Sequence, residues 1–177
     1  MTGGVRIRAA EPTDVALILS LIRELAEYER AATRVTGTEE LLFEALFGAH
    51  PVAESVVAET TERHARPEPA ANFEPVGFAL FFTTFSTWLC QPGIYLEDLY
   101  VRPAHRRSGI GRLLLTHVAR VAVERGCGRL DWSALSWNTP ALEFYRALGA
   151  ERMDDWSGLR LEGESLERVA GERIAHP

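Results

Sequence analysis

Two adjacent carboxylates, Glu97 and Asp98, sit in an apolar-rich stretch, Ile94 to Val101, within the segment Y-L-E-D-L-Y-V-R-P-A-H-R-R-S-G-I-G from Tyr95 to Gly111. Residues of these types in this order could do two kinds of chemistry. The carboxylates could take a proton or hold a cation. The residues that follow, Arg106 to Gly111, read R-x-x-G-x-G and lead into a long amphipathic pattern. A strand feeding a Gly-bearing turn that opens a helix is a phosphate-binding geometry. Its glycines let the backbone approach a ligand, and the first-turn N–H groups have no partner inside the helix. Arg106 and Arg107 add positive charge beside it. The chain has neither G-x-x-x-x-G-K-[ST] nor G-x-G-x-x-G, so the P-loop and the dinucleotide fingerprint are excluded.

The elements that must position these residues can be read from periodicity. Val5 to Arg8 alternates and predicts a strand. Pro12-Thr13-Asp14 opens a helix with Val15, Ile18, Ile22, Leu25 and Tyr28 at helical spacing, widened by Leu17 and Leu21. Thr38 caps a second helix, Glu39 to Leu46. Strands are expected at Ser55 to Glu59 and Val76 to Thr83, separated by an unpatterned loop, Thr60 to Pro75. Thr84 to Gly93 reads as a turn bearing Trp88, and Ile94 to Val101 as the carboxylate strand. The helix from Gly109 to Glu124 should bury Ile110, Leu113, Leu114, Val118 and Val121. Leu130 to Leu135 reads as a strand. Thr139 is the expected cap of a short helix with Pro140 at its first position, and that helix carries Tyr145. Weak strands at Arg152-Met153 and Leu159-Leu161 and a helix from Glu164 to Ala170 close the chain. Strands and helices alternate around one mixed sheet, as a single domain over residues 1–177.

Composition bounds the function. The chain has 177 residues, 46% hydrophobic, enough for a real core, with net charge −6 and pI near 5.4. That charge argues against a nucleic-acid surface. Cys90 and Cys127 cannot build a disulfide framework or a zinc site, and the five histidines are scattered, so no metal is expected. No apolar run approaches the ~20 residues of a membrane span, and Met1 to Arg8 lacks a signal peptide's apolar core. A reduced cytoplasmic setting follows.

The loop Arg106 to Gly111 resembles the acetyl-CoA loop of the GNAT acetyltransferases, whose usual form is Q/R-x-x-G-x-G/A. Trp137-Asn138-Thr139-Pro140-Ala141 followed by Glu143 to Ala150 resembles the second signature of that superfamily. Arg23 to Glu29, Phe47 to Pro51 and Tyr95 to Asp98 resemble its diamine branch, which acetylates spermidine, spermine and thialysine. The resemblance runs from about Arg6 to Ala170. It implies the GNAT fold, an α/β architecture with a mixed, mostly antiparallel sheet, flanking helices and two central strands that splay. It implies acetyl-CoA as acetyl donor, a small-molecule amine as acceptor and a homodimer. The cofactor would be held by Leu99, Val101, Arg106, Arg107, Ser108, Gly109, Ile110, Gly111, Arg112, Asn138 and Tyr145. Glu29, Trp88, Glu97 and Asp98 would face the substrate.

Acyl transfer to an amine needs a deprotonated nucleophile, a donor to the oxyanion and an acid for the departing thiolate. A primary amine titrates near ~10, so only roughly a few molecules in ten thousand are free base at neutral pH. Glu97 is the candidate base, acting through water in the resembled branch. Neighbours on a strand point to opposite faces, so only one of Glu97 and Asp98 is expected to face the substrate. Tyr145 is the candidate acid, because a phenol stays protonated at neutral pH; its spacing with Leu142 and Leu148 also fits a core aromatic. Asn138 is either a cofactor contact or a turn cap. Arg107 stands where the branch has glycine and is expected to take ordinary backbone angles. Ser86-Thr87-Trp88 stands where the branch has Asp-Pro-Trp, so one cation-holding carboxylate is missing and long polyamines become poorer acceptors. The rival readings are transfer to a protein N-terminus, a lysine or a drug amine, and a non-catalytic acetyl-CoA-binding protein.

Overall fold

The computed structural model describes residues 4–61 and 73–172. Residues up to Ser133 form one compact unit and residues from Ala134 a second. In the first, β1 (Val5–Ala9), β2 (Glu54–Thr61), β3 (Phe73–Ser86), β4 (Gln91–Val101) and β5 (Leu130–Trp132) form one five-stranded sheet in chain order. The first three pairings are antiparallel and β4–β5 is parallel. The parallel step needs a crossover, and α3 (Ile110–Glu124) provides it. The expected fold class is present.

Two helices precede β2: α1 (Val15–Tyr28) and α2 (Glu39–Phe47). Thr38 caps α2 by accepting the Leu41 N–H at 3.3 Å. Asp14, at the start of α1, is buried and paired with Arg8, whose guanidinium also reaches Glu59 on β2. The Arg8 guanidinium holds the Asp14 carboxyl below its ordinary range. This network fixes where α1 leaves β1. Ile18, Leu21, Leu46, Val57, Phe78, Leu80 and Tyr100 form a core on one face of the sheet. Their strand neighbours Val56, Ala58 and Ala79 point the other way and are buried too, and α3 packs against β3 and β4.

Several expectations shift. β3 and β4 extend further than expected, so the turn shrinks from Thr84–Gly93 to residues 87–90. Thr60, Thr61 and residues 73–75 of the expected loop belong to strands, and the rest of it, 62–72, lies outside the described residues. On α3, Leu113 is 44% exposed and Val121 only half-buried, while Leu115 and Ala122 are buried. The stripe is rotated by the helix's seat on the sheet.

In the second unit, α4 (Thr139–Ala147) and α5 (Glu164–Gly171) bury no residue. The weak strands expected at 152–153 and 159–161 do not form. Met153, Leu159 and Leu161 are exposed and no strand among the described residues pairs with them. A strand without a ladder partner has no stabilising bonds. Among the described residues, no helix is long and apolar enough to cross a membrane.

Candidate active site

The site grows from an irregularity in β4. Leu80 of β3 pairs with Asp98, and the next residue, Phe81, pairs with Leu96. Glu97 is therefore the extra residue of a β-bulge. Cross-strand partners share a face, so Leu96 and Asp98 lie on opposite faces although two positions apart. Glu97, between them, has no cross-strand partner and is exposed, while Asp98 is half-buried. The expectation that the two carboxylates oppose each other rests on alternation, which holds only along an unbulged strand. Asp98 lies on the face of Leu80 and Tyr100, where α1 packs.

Glu29 joins them as the residue that ends α1. Burial pushes the Asp98 carboxyl up to about 6, and repulsion from Glu97 and then Glu29 adds to it. Burial also raises Glu29. The structure thus brings together Glu29, Glu97 and Asp98, three of the four expected substrate residues. Like charges held near a low-dielectric surface attract a cation, because its arrival relieves their repulsion.

Trp88 does not join this group. It lies on the β3–β4 turn, past the Ser86–Gln91 rung, 84% exposed. Six residues separate Ser86 from Leu80, the partner of Asp98, which is about 20 Å of strand. Ser86 is buried, its hydroxyl accepting the Leu89 N–H at 3.3 Å with Arg129 Nη1 at 3.5 Å. Its hydroxyl thus bonds within the turn.

At the other end of β4 lies the turn with the R-x-x-G-x-G residues. The β4–β5 ladder stops at Leu96–Trp132, so from Glu97 to Val101, a span that includes Leu99, β4 has no strand beside it on that edge among the described residues. Gly109 has φ +89, and a Cβ built on it would meet nothing within 4 Å. Its conformation and the open space beside it leave room for a ligand against the first-turn amides of Ile110, Gly111 and Arg112, and the chain's own bonding resumes at Leu113 N–H to Gly109 O, 3.0 Å. Ser108 Oγ donates to His105 O and folds the turn. These features fit a pyrophosphate. Arg107 departs from expectation: its φ is +62, the left-handed region that favours glycine. The turn geometry dictates that angle whichever residue stands there.

Arg106 also contacts the protein's own groups. Its Nε donates to Val101 O at 2.9 Å, and its guanidinium carbon lies 4.5 Å from the Tyr28 ring centre and 5.5 Å from that of Tyr100. Beside it, Arg102 pairs with Glu24 (Nη2–Oε1 2.8 Å) and donates to Pro75 O, while the Tyr100 hydroxyl donates to Glu24 Oε2 at 3.3 Å. Burial, then the charge of Glu24, raises the Tyr100 hydroxyl. Sequence reading missed this group. Its signal was available: Glu24 and Tyr28 are four apart on one helix face, and Arg102 follows Tyr100 by two positions, just past the end of β4.

In the second unit, Asn138 rather than Thr139 caps α4, its side chain accepting the Ala141 N–H at 3.4 Å. Asn can place its carbonyl oxygen over the helix end while Thr139 begins the helix. Tyr145 is half-buried on α4, its ring 5.1 Å from that of Phe144.

The strand edge left unpaired and the glycine turn at a helix start suit a phosphate-bearing acyl donor, and comparison identifies the family. The profile of the Acetyltransferase (GNAT) family matches residues 22–150, and the chain belongs to that family. It is 40% identical over 171 residues to a thialysine N-epsilon-acetyltransferase of Bos taurus, covering 95% of this chain and 98% of that protein. It is 33% identical to an L-ornithine N5-acetyltransferase of Arabidopsis thaliana, covering 93% and 87%. Among solved structures, an integron cassette protein of V. cholerae superposes with TM-score 0.73 at 26% identity, covering 95% and 98%.

Proposed function

We propose that this protein transfers the acetyl group of acetyl-CoA to the primary amine of a small lysine-like or diamine substrate. The observation that carries the reading is the meeting of three carboxylates: Asp98, half-buried beside the bulge at Glu97, feels the charges of both Glu97 and Glu29. The names of the relatives, acting on thialysine and ornithine, point the same way.

When bound, acetyl-CoA supplies an activated thioester. The turn at Arg106–Gly111 would hold its pyrophosphate through first-turn amides, with Arg112 and Arg107 contributing charge and Leu99 and Val101 lining the exposed strand edge. Asp98 and Glu29 attract the substrate ammonium. Glu97, the most exposed of the three, takes its proton directly or through water. The role of acid falls to Tyr145, whose phenol can donate to the departing thiolate. Asn138 works as the cap that sets the start of the Tyr145 helix. The reading includes one catalytic domain working as a homodimer in the cytoplasm, in keeping with its two free cysteines.

The test is a panel of thialysine, ornithine, lysine, putrescine and spermine with acetyl-CoA, followed by thiol release. Short amines with one or two positive charges should give the highest kcat/KM, because the gathered carboxylates are few and close together. A preference for spermine would overturn the substrate assignment, and CoA binding without turnover on any amine would overturn the enzymatic one.

A further inference from the structure

Arg106 belongs to the turn read as the pyrophosphate site, and its guanidinium also reaches α1 and β4. The Nε bond to Val101 O fixes its direction, and the rings of Tyr28 and Tyr100 lie against it. A guanidinium over an aromatic face is attracted by the ring's quadrupole. Tyr28 immediately precedes Glu29, one of the three carboxylates of the acceptor site. One helical turn back, Glu24 holds Arg102, the residue that begins the same β4–α3 connection, and takes the Tyr100 hydroxyl. Two turns of α1 are thus strapped to the connection that carries the glycine turn. The straps are the Glu24–Arg102 ion pair and the two ring contacts of the Arg106 guanidinium.

We propose that Tyr28, Glu24, Arg102 and Arg106 form a positioning clamp that ties the Glu29 end of α1 to the cofactor turn, so that filling one site favours filling the other. None of the clamp residues need touch the amine. Their effect passes through Glu29, whose carboxylate is placed by the helix end, and through the turn, whose shape is placed by Arg106. Coupling of this kind is reciprocal: an amine must tighten CoA by the same factor that CoA tightens the amine. The proposal rests on the acetyltransferase reading above and adds a mechanism by which the two substrates communicate.

Calorimetry of CoA, which cannot turn over, tests it with and without saturating thialysine. In the wild type, thialysine should tighten CoA by about fivefold or more. Tyr28→Phe keeps the ring face and should keep that factor. Tyr28→Leu removes the ring face and should bring the factor down to about one, with CoA still binding. Glu24→Gln, a milder change that leaves α1 its packing, should reduce the factor in the same direction and serves if Tyr28→Leu does not fold. A wild-type protein that binds no CoA would overturn the functional reading itself. Wild-type binding of CoA with no effect of thialysine, or an undiminished factor in Tyr28→Leu or Glu24→Gln, would overturn the clamp and leave the functional reading standing.

Discussion

The two compact units of this chain use their apolar residues in opposite ways. Every buried hydrophobic among the described residues lies before Ser133, in the sheet, α1, α2 and α3. From Ala134 on, Trp137, Met153, Trp156, Leu159 and Leu161 are exposed, Leu159 at 95%. Apolar content therefore does not by itself make an element. In the first unit each strand has a neighbour and each helix has a face to cover. In the second, strand-like stretches have no ladder and stay irregular.

The sharpest way to break that contrast is to remove one large apolar side chain from each unit. Phe78→Ala empties a fully buried site and should cost about 3–5 kcal/mol in denaturant unfolding. Leu159→Ala should stay within about 0.5 kcal/mol. Similar losses at both positions would show that Leu159 is covered in solution.

Chemistry offers a second contrast, because the expected base stands in one unit and the expected acid in the other. Tyr145→Phe keeps the ring and removes the proton donor, so turnover should fall roughly tenfold to a thousandfold while CoA affinity holds. Unchanged turnover would return Tyr145 to the role of a packing aromatic.

Asp98→Asn should separate stability from function inside the first unit. The folded-state carboxyl is raised to about 6, above its value in the unfolded chain. The native state then holds its proton more tightly, so the wild type loses stability as pH rises from about 4 to about 6. The asparagine variant lacks that loss and should be more stable at pH 7 by on the order of 1 kcal/mol, with no such advantage below pH 4. Its KM for the amine should rise. In the wild type, amine binding should weaken as pH falls through 6.

Much of this was legible in the chain. The R-x-x-G-x-G turn, the strand before it and the helix after it are signalled by residue type and spacing alone. The bulge at Glu97 was not, because a register shift is set by how β3 and β4 meet, and no local pattern in Y-L-E-D-L-Y encodes it. The same holds for Arg106: sequence gives its charge and suggests a phosphate, while only packing reveals Tyr28 and Tyr100 around it. The second unit's expected strands at 152–153 and 159–161 do not form, because no strand among the described residues offers them a ladder.

Arg107 carries the smallest expected effect. It holds a left-handed angle in a position where glycine pays no steric penalty. Arg107→Gly should leave stability unchanged or raise it by up to about 1 kcal/mol, since strain relieved in the fold is partly offset by freedom gained in the unfolded chain. A clear loss of stability would mean that the arginine side chain makes a contact worth more than the strain.

The most direct test of the account is product analysis with thialysine and acetyl-CoA, comparing the wild type with the Glu97→Gln/Asp98→Asn double variant by mass spectrometry. The account predicts acetylated thialysine from the wild type, and from the double variant a loss of about a hundredfold or more in rate with CoA affinity retained. Equal product from both proteins would contradict it, because the bulge carboxylates would then have no part in the reaction.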